Sequence, residues 1–412
     1  MTWLRRLRQR VYDRARTLTF ARRASARFRR ATYEQQVSRF LAERTGRANP
    51  LPSGLVYEAT MRCNLHCEFC YVGDLLNLEG EWREELPLDA LRRAFPDSSG
   101  LKVSLTGGEI FMRKDILGVM DVFREKGYVC GYLTTNGTII DEHRAEALAK
   151  LASEGFLKHI SVSIDGPEEL HDRARGLAGT FERTSAGLRR LQQAARRLGA
   201  PLRVSINTTV AQDSLESLHQ MVDVAEELGV DAIGLNHLMF ATPDEVDETL
   251  RLIGETDPKL ISTFVTPHPG ITADRVRSQV AALEAKCKAK GLLFDFRPKV
   301  YPQLMDSYYT PGARLAGRCL YPFLHARVSF SGKAYFCPFI RVQVGDLGHQ
   351  TLEEVWNAPR YVELRRRLLE EGLFPVCRRC CKVELAAEPA MQPLPVSTRL
   401  EHRLPVAATV EQ

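Results

Sequence analysis

The sequence predicts an α/β fold built on a parallel sheet, and three observations carry that expectation. First, six short β-rich runs recur along the chain: "GLVYEAT" (54–60), "LKVSLT" (101–106), "VCGYLTT" (129–135), "HISVSID" (159–165), "LRVSINTTV" (202–210) and "DAIGLNHLM" (231–239). Second, amphipathic helical stretches separate them, among them "LPLDALRRAF", "RKDILGVMDVFREKG", "DEHRAEALAKLASEG", "FERTSAGLRRLQQAARRLG" and "SLESLHQMVDVAEELG". Helical crossovers between strands place the strands parallel with helices outside, so the sheet is either doubly wound or curled into a partial barrel. Third, four polar or ligating loops follow strand ends: the loop of Cys63, Cys67 and Cys70, then "TGGE" (106–109), "TNG" (135–137) and "DGP" (165–167). They share the carboxyl edge where parallel α/β sheets bind ligands.

Before the first strand the chain has a different character. Residues 1–50 hold 14 Arg, no Lys and three acidic residues, a balance of +11 against +6 for all 412 residues, so the remainder is net acidic. Leu4, Leu7, Val11, Ala15 and Leu18 recur at helical spacing with arginines between them, which predicts a basic amphipathic helix. Its readings are a helix packed on the folded body, a helix lying on anionic lipid through residues 1–30, or contact with a polyanion such as nucleic acid, the least favoured of the three. An organelle-targeting sequence also fits this composition. There is no secretory apolar core, and nothing approaches the roughly 18 consecutive apolar residues of a membrane span. A cytoplasmic protein is expected, with a place at the inner membrane face as the second reading.

"ANPLPSG" (48–54) breaks the helical pattern and reads as a linker. The expected divisions are an N-terminal extension at 1–53, a strand–helix body at 54–239, a less regular bridge at 240–318 with a helix around 273–290, a cysteine-bearing domain at 319–384, and a Pro- and Ala-rich flexible tail at 385–412.

Ten cysteines in a long chain without an export signal point to metal or redox use rather than disulfides. Seven fall in two groups. Cys63, Cys67 and Cys70 are spaced C-x3-C-x2-C on a loop too short to be a zinc module. A structural zinc or a cubane [4Fe–4S] cluster takes four protein ligands and a catalytic zinc takes three and a water, so three thiolates leave one position for a ligand that is not protein. This loop resembles the signature of the radical SAM superfamily, C-x3-C-x-aromatic-C, with Phe69 in the aromatic position. The resemblance implies a partial (β/α)6 TIM-like barrel. It further implies a [4Fe–4S] cluster on Cys63, Cys67 and Cys70 whose free iron chelates S-adenosylmethionine (SAM), and reductive cleavage to a 5′-deoxyadenosyl radical. Gly107, Gly108 and Glu109 match the family's GGE element, the glycines admitting close backbone approach and the acid taking the SAM ammonium. Asn136, Ser163 and Asp165 sit where the family holds the ribose and carboxylate, and Asn207 is a similar candidate. His66, His171 and His237 are equally readable as structural histidines, and Glu58 as an acid lining the barrel.

In the second group Cys319, Gly332 and Cys337 give C-x12-G-x4-C, followed by Cys377 and Cys380 as C-x2-C. "SFSGKAYFCP" reads as a hairpin turning at Ser331–Gly332, and "TLEEVWNAPRYVELRRRLLEEG" as one helix ending at Gly372. Four thiolates so gathered make a closed site for zinc or iron–sulfur. The arrangement resembles the SPASM and twitch domains that follow many radical SAM barrels, which implies one auxiliary [4Fe–4S] cluster on Cys319, Cys337, Cys377 and Cys380. Cys381 is an alternate ligand or a spare; Cys130 and Cys287 read as buried thiols, with hydrogen-atom donation the other use of a barrel cysteine.

Together the resemblances imply a radical SAM oxidoreductase or maturase acting on a peptide or small molecule, with an external electron donor such as flavodoxin or ferredoxin. Residues 1–53 are too short and Arg-rich for the winged-helix domain that many peptide maturases carry. The alternatives are a membrane-surface enzyme acting on a lipid or hydrophobic metabolite, and a non-enzymatic zinc-binding scaffold.

Overall fold

A computed structural model describes residues 35–78, 84–98 and 100–386. The basic segment through residue 34 and the end of the tail lie outside the described residues, and with them the expectations of a membrane-binding helix and a flexible terminus.

All six expected strands form: β1 (Gly54–Glu58), β2 (Lys102–Thr106), β3 (Val129–Thr135), β4 (His159–Ser163), β5 (Arg203–Thr209) and β6 (Ala232–Asn236). They pair in chain order and in parallel. The helices between them are α1 (Leu88–Ala94), α2 (Ile116–Glu125), α3 (Glu142–Ser153), α4 (Glu168–Arg175), α5 (Thr180–Arg197) and α6 (Met221–Glu227). Asp141 caps α3 by accepting from Arg144 N, as expected of an acidic residue just before a periodic run. Behind β1, Tyr57 meets the rings of Phe95 and Phe123 edge-on, with centroids 6.2 and 5.7 Å away.

The sheet extends beyond the expected six strands at both ends. The bridge contributes β7 (Leu293–Arg297), parallel to β6. On the other side β1 pairs in parallel with β8 (His325–Val328), continued by antiparallel β9 (Lys333–Tyr335) and β10 (Gln343–Asp346). One ten-stranded sheet therefore runs β10-β9-β8-β1-β2-β3-β4-β5-β6-β7. The bridge also holds α7 (Pro243–Ile253) and α8 (Ala273–Lys290).

Two local expectations are corrected. The single helix expected up to Gly372 is two, Leu352–Trp356 and α9 (Pro359–Glu371), because Pro359 cannot donate a helical hydrogen bond and forces Ala358 into an extended conformation. The presumed linker is a strap: Ala48 N donates to Asn357 Oδ1 at 2.9 Å, and Trp356 Nε1 donates to Asn49 O at 2.8 Å. Ahead of it, helical residues 35–43 bury Val37 and Phe40, the latter ring tilted against Phe323 at 5.2 Å.

Candidate active site

The cysteine loop leaves β1 and is fastened from three sides. The β2 end runs against it so closely that a Cβ on Gly107 would lie 2.2 Å from Thr60 O, and one on Gly108 2.4 Å from Arg62 O. Only glycine fits at either position. Gly108 N and Glu109 N donate to those same carbonyls at 2.9 and 2.8 Å, a ladder that sets the height of Cys63 above the sheet. On the far side Asn77, at φ 57°, accepts from Cys63 N and donates to Cys63 O, both at 2.9 Å. Asn tolerates the left-handed region better than other side chains. A third tie is Asn136 Nδ2, which donates to Asn64 Oδ1 at 2.9 Å while its own Oδ1 accepts from Thr138.

Cys67 and Cys70 open into a cavity of about 210 Å³ shared with Leu65, His66, Gly73 and Asn77. All three sulfurs are half-buried. Burial pushes the Cys63 thiol up to about 11, so a metal bound there would have to displace its proton at neutral pH. Arg175, at the end of α4, points Nη1 at Cys67 Sγ (3.5 Å) and Nη2 at Asp165 Oδ2 (2.5 Å), with its guanidinium carbon 5.8 Å from the Phe69 ring centre. Sequence reasoning missed Arg175, because a basic residue in a last helical turn is ordinarily a complement to the helix dipole.

The remaining candidates fall around this loop. Glu109 is fully buried and accepts from Phe111 N, Thr135 Oγ1 and Asn136 N at 3.2, 2.8 and 2.6 Å. Burial raises its pKa against those donors. Asp165 is 2% exposed; besides Arg175 it accepts from Thr208 Oγ1 and Thr209 N, both at 3.3 Å, so much of its capacity is spent within the protein. Ser163 and Asn207 stand opposite each other on β4 and β5, both half-buried. His171 accepts from Asp165 N at 3.2 Å; burial and then the Arg175 charge hold it down at about 4, a neutral structural histidine. His237, pushed by burial to about 3, stacks on Phe296 and meets Tyr309 Oη at 2.6 Å. His66 is exposed at the mouth of the loop.

The second group is deeper. Cys337, Cys377 and Cys380 are 8–9% exposed and Cys319 is half-buried. Burial drives the Cys319 thiol up to about 12 and those of Cys377 and Cys380 well above their ordinary value. Ile340 N donates to Cys337 Sγ at 3.2 Å and Lys382 N to Cys380 Sγ at 3.3 Å, contacts that suit sulfurs carrying negative charge. Arg379, inside the C-x2-C turn, locks it to the bridge through Tyr308 O (2.7 Å), Thr310 O (2.6 Å) and the Glu245 carboxylate (2.9 Å). Cys130 and Cys287 lie elsewhere, fully buried. The register shift between Val103 and Ser104 turns Cys130 to the helix side of β3, away from the lumen that Tyr132 and Thr134 face.

Glu58 proves to be the joint between the two regions. It accepts from Arg327 Nε (2.9 Å) and from Arg341 Nη1 and Nη2 (2.9 and 3.0 Å), and Arg327 reaches on to Tyr71 Oη at 3.2 Å. Burial opposes its ionisation, but the two guanidinium groups prevail and hold its carboxyl at about 2. The Tyr71 ring, next to Cys70, meets Phe339, two residues from Cys337, at 5.4 Å. A cavity of about 180 Å³ opens beside this contact, bounded by Val56, Ser104, Thr106, Tyr132 and Thr134 of the sheet and by Tyr321, Arg327, Pro338, Cys381 and Lys382.

The loop of Cys63, Cys67 and Cys70 offers three thiolates and leaves one coordination position to a ligand that is not protein, which suits a [4Fe–4S] cluster; Cys319, Cys337, Cys377 and Cys380 make a four-thiolate set that suits a closed cluster or a zinc ion. Residues 57–225 match the Radical SAM superfamily, and residues 319–381 match SPASM, an iron-sulfur cluster-binding domain. The chain belongs to the radical SAM enzymes. As such it uses a [4Fe–4S] cluster and SAM, and its SPASM domain implies further iron–sulfur binding. Relatives include the AdoMet-dependent heme synthase of Methanosarcina barkeri, 27% identical over 79% of this chain and 88% of that one. The PqqA peptide cyclase of Ruegeria pomeroyi is 32% identical over 53% and 60%. Among solved structures, Streptococcus suis SuiB bound to S-adenosylmethionine superposes with a TM-score of 0.54 at 18% identity, covering 84% of this chain and 76% of that one. The anSMEcpe structure with bound AdoMet gives 0.51 at 16%, covering 80% and 88%. The likeness to these two is one of fold. No described helix of this radical SAM enzyme is long and apolar enough to cross a membrane.

Proposed function

We propose that this enzyme is an oxidoreductase or maturase that modifies a substrate held between its two cysteine sites, in the biosynthesis of a modified peptide or small-molecule natural product. The observation that carries this reading is the cavity of about 180 Å³, walled on one side by Tyr71, next to Cys70, and on the other by Pro338 and Cys381, next to Cys337 and Cys380. A molecule there adjoins both groups. With both clusters bound, the first with SAM supplies a 5′-deoxyadenosyl radical for hydrogen abstraction and the second carries an electron to or from the substrate.

The chain's own contributions are positional. Cys63, Cys67 and Cys70 hold the first cluster; Cys319, Cys337, Cys377 and Cys380 hold the second. Gly107 and Gly108 let the β2 end approach, Phe69 and Arg175 cover the loop, and Glu109, Asn136, Ser163, Asp165 and Asn207 form the polar rim for SAM. Tyr71, Tyr132, Tyr321 and Phe339 line the cavity with rings that restrict water around a reactive centre. A flavodoxin or ferredoxin supplies the electron. SuiB has been solved with its precursor peptide SuiA and PqqA peptide cyclase is named for a peptide, which favours a peptide substrate; the heme synthases favour a small molecule. Membrane docking through residues 1–30 is tested by flotation with anionic liposomes, where deletion of that segment should abolish binding.

The deciding experiment compares two variants after anaerobic reconstitution. Cys67→Ala should reduce SAM cleavage to background while keeping its fold by circular dichroism. Cys377→Ala should retain cleavage and lose product. Iron and sulfide should approach about eight each in the parent, from two cubanes. Continued formation of 5′-deoxyadenosine by Cys67→Ala overturns the reading, as does about two zinc without sulfide in the parent.

A further inference from the structure

The cavity between the two sites has an unbalanced lining. Two cations face it, the buried Arg327 and the more exposed Lys382; no Asp or Glu is among its lining residues, and its one acidic group, the Cys381 thiol, lies beside Lys382 and leaves Arg327 unanswered. Arg327 is not neutralised by its partner, because Glu58 is shared with Arg341, so the buried trio keeps one surplus positive charge. Lys382 sets its ammonium 5.9 Å from the Tyr321 ring centre on the same wall. The Tyr321 hydroxyl is buried, lies beside the Arg327 guanidinium, and makes no hydrogen bond of normal geometry. A buried donor left without an acceptor is costly, and a buried surplus of positive charge more so. An anion with aromatic or aliphatic substance behind it relieves both.

We infer that Arg327, Lys382 and Tyr321 form a carboxylate-binding subsite, and that the substrate is a carboxylic acid whose apolar part lies against Tyr71, Tyr132 and Phe339. This rests on the reading of the cavity as the substrate site. The carboxylate sits at the SPASM-side wall, and the apolar part points toward the Cys63–Cys70 loop, where Tyr71 is anchored. An acid is thereby oriented with its carbon skeleton, not its charge, toward the SAM side.

Equilibrium dialysis of labelled phenylacetate against the anaerobically reconstituted full chain tests this. Phenylacetate should bind, and phenylacetamide, the same shape without charge, should bind at least tenfold more weakly. Tyr321→Phe and Lys382→Gln should each weaken phenylacetate at least fivefold, with melting temperatures near the parent's. Saturating SAM should leave binding in place. Equal binding of acid and amide would mean that the cations serve only the neighbouring cysteines, and overturns the subsite. Displacement by SAM would assign it to the cofactor, and preference for phenyl phosphate would assign it to another anion class; either result also overturns it. Dialysis involves no radical chemistry, so a failed subsite leaves SAM cleavage intact, and failed cleavage leaves the dialysis result intact.

Discussion

The two cysteine groups are built on opposite principles. The first rides on a loop, half-exposed, its position set by backbone contacts from outside: the Gly107–Gly108 ladder and the Asn77 clasp. The second is set into the C-terminal domain, with Cys337, Cys377 and Cys380 buried, Cys319 half-buried, and its C-x2-C turn bolted down by Arg379. A ligand set that must admit a nucleotide needs an open face and therefore an external scaffold. One that is closed can be held by ordinary packing.

Glu58 is where the contrast can be broken most forcefully. Glu58→Gln leaves two buried guanidinium groups facing each other without a counter-charge, a loss of about 3–5 kcal/mol by chemical denaturation, and both sites should suffer together. If only the SPASM domain loosens, the joint is less shared than its geometry implies. The same carboxylate sets an acid limit. Its pKa is lowered from 4.5 to about 2, so its contribution is complete above about 4.5 and is lost as pH falls toward 2. Thermal melts across that range should show a slope that Glu58→Gln removes.

Gly108→Ala separates the two principles. The new methyl meets Arg62 O and the Cys63 side chain, at a cost of about 1–3 kcal/mol. Iron should fall by about half, from the first site alone. Arg175→Gln should leave iron content unchanged but move the first cluster's potential to a more negative value, since a charged donor near Cys67 Sγ favours the reduced state; Arg175→Lys should restore much of it. Smallest is Asn77→Ala, which removes the clasp on Cys63 for about 1 kcal/mol and should quicken oxidative loss of the first cluster while sparing the second.

Much of this architecture is legible in the sequence because its determinants are local. The six barrel strands announce themselves by β-rich runs ending in polar turns, and the cysteine spacings locate both sites. What escaped is non-local. "LFDFR" (293–297) has alternating charges and partial burial and looks like a loop until β6 pairs with it. Nothing in "HARV" announces that it will lie beside β1, whose paired residues come 271 positions earlier. Arg175, Asn77 and Arg379 are ordinary surface residues by type, and their work appears only when distant segments meet them. Glu58 was readable as an inward-facing acid; its two partners were not.

The pairing of β1 with β8 carries one last implication. Backbone from Gly54 to Tyr57 is bonded on one side to the barrel and on the other to the SPASM domain, so no hinge can separate the two halves without tearing a sheet. Trimming the chain near residue 318 would not liberate a smaller working catalyst. It would strip the partner from β1 and expose an unpaired edge of the kind that recruits other chains, with Glu58 stranded beside it. The enzyme's two cysteine sites are in this sense a single casting, and their spacing is inherited from the weave of the sheet.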